Sequence, residues 1–317
     1  MLGLALLCRA TDFSCAVEAL YEQRYDDAWR LIGQFSPDTP DPRGAYWQAS
    51  LVQMLCYETG SRAMVDSFYR MSGRVEALCR ERISRNKDDT SAYLYLGMMR
   101  LNRANGLAWE QKHVQAMRVM GSAVAPLGAA LAADATLTDA AYGLGMIEFF
   151  RSLGDRYLLG LGILGSRSKA FRLVERGAQG KGLSAVSARF SLAWMKGQEK
   201  KHEEALSECR RLLARYPGNR MLLRMMRDIN LNKGDCSEVM RLGQEMDQSI
   251  AASFPQNRYY LAENRLVMAK ACLKSGRNDE ARALLNQVIA WEGQQDRVPW
   301  LRHYVAEAKT LKRGMGR

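Results

Sequence analysis

ARFSLAWMKGQEKKHEEALSECRRLLARYPGN, residues 188–219, is the stretch that decides the fold. It reads as a helical hairpin. Ala193 and Ala205, twelve positions apart, are small enough to let two antiparallel helices approach closely. Pro217, twelve positions further on, cannot continue the second helix and stops it. A hairpin of this kind cannot bury its apolar side alone, so similar hairpins are expected on either side of it. Such arrays build surfaces and seldom carry chemistry.

Composition agrees with helix throughout. The chain has 317 residues, only seven prolines, 17 methionines and long Ala/Leu/Met/Arg/Glu-rich segments whose side chains lose little freedom in a helix. No run of alternating β-branched residues stands out. A length of 317 residues suits two ordinary domains or one extended solenoid. The 47% hydrophobic and 25% charged fractions belong to a soluble protein. A net charge of +12 permits attraction to acidic proteins, anionic lipid or nucleic acid, and equally describes a solvated basic surface. The seven cysteines, Cys8, Cys15, Cys56, Cys79, Cys209, Cys236 and Cys272, are scattered and form no C-x-x-C pair. Buried free thiols are therefore expected, not a disulfide framework or a metal site.

Residues 1–10, MLGLALLCRA, are a short apolar run with no basic stretch before it. They read either as the remnant of a secretory signal, with Cys8-Arg9-Ala10 as a loose cleavage site, or as a first core helix. The first reading implies a bacterial periplasm or cell envelope and the second a cytoplasmic protein. Two other apolar runs, 119–133 and 157–165, fall short of the roughly 20 residues of a spanning helix, so no transmembrane segment is expected.

Along the chain, 11–35 reads as two helices joined at Arg24-Tyr25, with Asp12 as cap. Pro37, Pro40 and Pro42 then predict an extended connection. Helices follow at 45–57, closed by Gly60, and at 62–85. Thr90 or Ser91 should cap a helix carrying Leu96-Gly97, and a single long return helix is expected over 109–133. Residues 139–151 form the next helix, with Gly145 at a close-packing position, and a glycine-rich linker leads to a helix over 168–176. Val239 lies 34 positions after Ala205, and Ala281 lies 42 after Val239, which lengthens the helix between them. Residues 298–312 should form a capping last helix.

These small, aromatic and terminating residues carry a resemblance. At 34-residue spacing the chain resembles tetratricopeptide-repeat proteins over nearly its whole length, most clearly at 11–35 and 188–290. Segment 142–182 and the following hairpin, with Leu192-Ala193, Glu203-Glu204-Ala205 and Tyr216-Pro217-Gly218-Asn219, are similar to bacterial exported repeat proteins of undefined function. The resemblance implies an all-α fold, a right-handed α-solenoid of helical hairpins over 11–317. In it, 152–182 is irregular and 185–291 most regular. It also implies a concave groove for a peptide or partner protein.

Carrying over the groove positions of each first helix gives Leu94, Met98, Leu101 and Asn102, then Tyr142, Met146, Phe149 and Phe150. After these come Phe190, Trp194 and Gln198, then Arg224, Asp228 and Asn232, then Lys270 and Lys274. The resulting trough is aromatic in the middle and polar and basic at its C-terminal end. That suits an apolar anchor, with Lys or Arg on a carboxylate. The competing reading is that aromatic residues at helical spacing are core and that Arg224 and Lys270 sit on a solvated face.

Gly160, Gly162 and Gly165 spell G-x-G-x-x-G, but no strand precedes them, so nucleotide binding is not expected. His113, His202 and His303 are far apart, and no H-E-x-x-H, nucleophile elbow or Walker loop occurs. The sequence therefore predicts a non-enzymatic scaffold without catalytic residues, cofactor or metal. The alternative is a basic repeat protein that binds a polyanion, either RNA or an anionic envelope component. Against nucleic acid, basic residues do not recur at fixed repeat positions.

Overall fold

The structure, a computed structural model, describes residues 13–34, 41–158, 165–255, 257–294 and 300–315. The leader reading of 1–10, the Asp12 cap, the extended connection at 35–40 and most of the glycine motif at 160–165 lie outside these residues.

Among the described residues there are α-helices, one short 3-10 turn and no strand. Helical hairpins succeed one another: α1 (Phe13–Tyr21) with α2 (Tyr25–Gly33), and α3 (Pro42–Thr59) with α4 (Arg62–Arg85). Next come α5 (Thr90–Trp109) with α6 (His113–Ser122) and α7 (Val124–Ala133), then α8 (Thr138–Leu158) with α9 (Arg167–Gln179). The remainder is α10 (Ala185–Gln198), α11 (His202–Arg215), α12 (Arg220–Lys233), α13 (Cys236–Ser253), α14 (Arg258–Lys274), α15 (Asn278–Ile289) and α16 (Leu301–Gly314).

Six hairpins share one turn. A residue of positive φ stands two positions before each return helix: Gln23, Gly60, Gln111, Lys200, Gly234 and Gly276, with φ between 60° and 89°. In five of them the next N–H returns to the carbonyl five residues back, for example Asp235 to Asn230 at 2.9 Å and Lys112 to Leu107 at 2.8 Å. These bonds satisfy carbonyls that the helix end leaves unpaired. Glycine marks only half of these turns in the sequence. First helices open on Asp89, Asn219 and Asn257, whose side chains accept the N–H groups of Ala92, Leu222 and Tyr260. Asp89, rather than Thr90 or Ser91, is thus the cap of α5.

The contacts group the chain into two compact units: Met1–Gln53 with Phe68–Arg189, and Met54–Ser67 with Phe190–Arg317.

In the first unit the return arm of the third hairpin is two helices, α6 and α7, instead of the single one expected over 109–133. Pro126 explains the break, since its missing N–H leaves the Ser122 carbonyl without a helical donor. The guanidinium of Arg100 supplies one at 2.7 Å. Fully buried Leu127 then packs between two glycines. A Cβ on Gly97 would collide with its side chain, and one on Gly143 would lie 2.9 Å from its Cδ1. Gly145 admits Val174 of α9 in the same way. The stretch His113–Ala133 is, by length and composition alone, apolar enough to cross a membrane. It nonetheless packs Met120, Leu127 and Ala130 into this unit's core.

The thiols of Cys56, Cys79, Cys209, Cys236 and Cys272 are free, and burial pushes those of Cys79 and Cys209 up to about 12. Cys15 departs from the free-thiol expectation, because it is disulfide-bonded. In the second unit α16 closes the end, burying Leu301, Val305 and Ala308 against Leu266 and Leu285 while Arg302 and His303 face solvent.

Candidate binding groove

Two first helices of the second unit, α10 and α12, bound a recess of about 340 Å³. Trp194, Gly197 and Gln198 line it from α10, and Met221, Arg224, Met225, Asp228, Ile229 and Asn232 from α12. The α12 residues fall on one face because they recur at three- and four-residue intervals. The walls lie close at Gly197, where a Cβ would make ordinary van der Waals contact with Ile229 at 3.4 Å. Five expected groove positions, Trp194, Gln198, Arg224, Asp228 and Asn232, are therefore brought together here. Met221 and Met225 add deformable apolar surface that the expectation missed.

Two of the lining residues, Arg224 and Asp228, belong to a buried ionic network. Arg227, fully buried, donates to Glu263 Oε1 at 2.7 Å, Asn264 Oδ1 at 2.7 Å and Asp228 Oδ1 at 2.7 Å. Arg224 reaches Glu263 at 3.4 Å and lies over the Tyr260 ring. Burial works to raise the pKa of Glu263, but Arg224 and Arg227 outweigh it and hold the carboxyl below its ordinary range. The Glu263 charge in turn holds Arg224 firmly protonated. The charges that Arg224 and Asp228 bring to the recess are therefore compensated by the buried partners Glu263 and Arg227. The one sequence sign of this network was Glu263, the sole carboxylate of the mostly buried α14.

The remaining expected positions are placed differently. Leu94, Met98 and Leu101 are buried, Met98 near the α8 glycine Gly143. Met146 and Phe149 are buried too, Phe149 edge-on to Phe171 of α9 with ring centroids 6.0 Å apart. Phe190 is buried beside Tyr216. These are packing residues, because neighbouring helices cover the faces that an open array would leave bare. Tyr142 is half-buried near Gly177. The Asn102 side chain donates to the Ser50 hydroxyl at 3.0 Å. Phe150 lines a separate apolar cavity of the first unit. Lys270 pairs with Glu307 at 2.7 Å, and Lys274 donates to the Leu231 carbonyl at 3.0 Å. Neither lysine lines the recess. Among the described residues no three His, Cys, Asp or Glu side chains gather as a metal site.

No protein-family model and no curated protein matches the sequence. Solved structures do match. A chain of the APC/C hetero-tetramer Cut9–Hcn1 shares 14% identity over 96% of this chain, with a TM-score of 0.57. This chain spans 55% of that one's length. YrrB, a TPR protein with an unusual peptide-binding site, matches at 16% identity over 73% of this chain and 97% of its own, with a TM-score of 0.43. The C-terminal part of a TPR repeat-containing protein from Cytophaga hutchinsonii matches at 13% over 88% and 95%, with a TM-score of 0.44. The chain thus has the all-α helical-repeat solenoid fold of TPR proteins.

Proposed function

We propose that this protein is a non-enzymatic scaffold that holds a peptide or a segment of a partner protein in the α10–α12 groove. The observation that carries this is the convergence of Trp194, Met221 and Met225 with the polar Gln198, Asp228 and Asn232 around one recess. An aromatic and two flexible thioethers supply an apolar anchor point, and exposed amides offer both donors and acceptors to an extended main chain. A polyanion is a poorer fit, since Arg220, Arg224 and Arg227 on α12 already face Glu58 and Glu263. The similar fold found within a hetero-tetramer agrees with a role in protein assembly. We further propose an oxidising compartment such as the periplasm, which suits the disulfide at Cys15. Selection of displayed peptides on the wild type, with Asp228→Ala/Asn232→Ala as counter-selection, tests the groove. Peptides that bind the wild type alone support it, and peptides that bind both equally refute it.

A further inference from the structure

Sulfur atoms of α13 and α14 meet in the second unit. The Cys272 thiol, in the last turn of α14, donates to Met240 Sδ of α13 at 3.6 Å. Cys236 opens α13 and stands four positions before Met240, so the two share a helical face one turn apart. Its thiol is near enough for its charge to act on Cys272. Two thiols and a thioether from two helices are thus gathered, in the pattern Cys-x-x-x-Met with a distant Cys. The metal-free expectation from sequence weighed C-x-x-C and histidine motifs, and a cluster of His, Cys, Asp and Glu leaves thioether donors uncounted.

Access and donor chemistry both suit a soft metal ion. Cys236 and Met240 are half-buried and Cys272 is fully buried, so an ion reaches the two outer donors while the third is fixed in the core. Burial raises the pKa of Cys272, Arg277 works against burial, and Glu280 and Cys236 add to it. The neighbouring carboxylates are engaged by cations: Glu238 by Arg241 at 2.7 Å and Glu280 by Arg277 at 3.5 Å. Two sulfurs that share a d10 metal at about 2.3 Å each stand about 4 Å apart. The Met240–Cys272 separation of 3.6 Å is already close to that. Thiolate and thioether together select Cu(I), whereas zinc takes thiolate, imidazole or carboxylate. Cys209 and Met225 also touch, at 3.5 Å, but that pair has a single thiol.

We infer that Cys236, Met240 and Cys272 form a three-sulfur binding site for Cu(I). Binding releases the two thiol protons to solvent and leaves the oxidation state of the copper unchanged. None of the three residues lines the α10–α12 recess, so the site is independent of the groove.

Anaerobic titration of the reduced full chain with Cu(I), against bicinchoninate as competing chelator, tests it. The wild type should retain one equivalent more than Cys236→Ser/Met240→Leu. Met240→Leu alone, which keeps the side-chain volume and removes only the donor, should weaken that equivalent by roughly tenfold or more at unchanged helicity and Tm. Cys209→Ser should leave it unchanged, and excess Zn(II) should not displace it. Equal retention by the double variant, or full affinity in Met240→Leu, overturns the inference. Loss of the equivalent in Cys209→Ser overturns it as well, by placing the copper elsewhere, and so does displacement by Zn(II), which contradicts a soft three-sulfur donor set.

Discussion

Arg220 on α12 donates from Nε to Glu58 Oε2 at the end of α3, 2.7 Å away across 162 positions of sequence, with both side chains almost wholly buried. Ser249 and Ser253 take the other side of the guanidinium, and Asn257 donates to the Glu58 carbonyl. Residues 54–67 thereby belong to the second unit. Glu58→Gln leaves Arg220 charged in a dry site, and the expected loss is roughly 3–5 kcal/mol by urea denaturation. Glu58→Leu/Arg220→Met, which removes both charges, should cost clearly less than either single change.

The pair Glu263 and Arg227 makes stability depend on pH. Because the folded pKa of Glu263 is held below its ordinary 4.5, its contribution is fully present above that value. It is lost as pH falls through the lower folded value. The stability gap between wild type and Glu263→Gln should therefore be widest near neutral pH and shrink below about pH 4.5. A gap that stays constant down to strongly acid pH would contradict this sign.

Leu127 and Gly97 should be coupled. Leu127→Ala should cost about 2–5 kcal/mol through the cavity it leaves, and Gly97→Ala about 1–3 kcal/mol through overpacking. Together they should cost less than the sum, because the added methyl enters space that the leucine vacates. Additive losses in denaturation midpoints would mean the two residues do not share one contact.

The hairpins were legible in the sequence because small residues, Pro217 and the 34-residue spacing are local signals. The turn residues Gln23, Gln111 and Lys200 were not, since nothing in a glutamine or lysine announces positive φ. The groove was legible in part. Trp194, Arg224 and Asn232 follow from counting along first helices, whereas the burial of Met98, Phe149 and Phe190 depends on which neighbours cover them. Gly143 and Phe171 provide that neighbouring surface. The Glu58–Arg220 pair is invisible to any local reading, because its partners meet only after folding.

Cysteine accounting gives a further check. With Cys15 in a disulfide, denatured, unreduced protein should react with fewer equivalents of a thiol reagent than reduced protein, which should react with seven. Seven without reduction would remove the disulfide and the argument for an oxidising compartment.

The most direct test of the groove is the affinity of a selected peptide for the wild type, Trp194→Ala and Asn232→Ala, measured by titration calorimetry with circular dichroism of each variant. A loss of roughly tenfold or more in both variants, at unchanged helicity, is the predicted result. Unchanged affinity in two folded variants would contradict it.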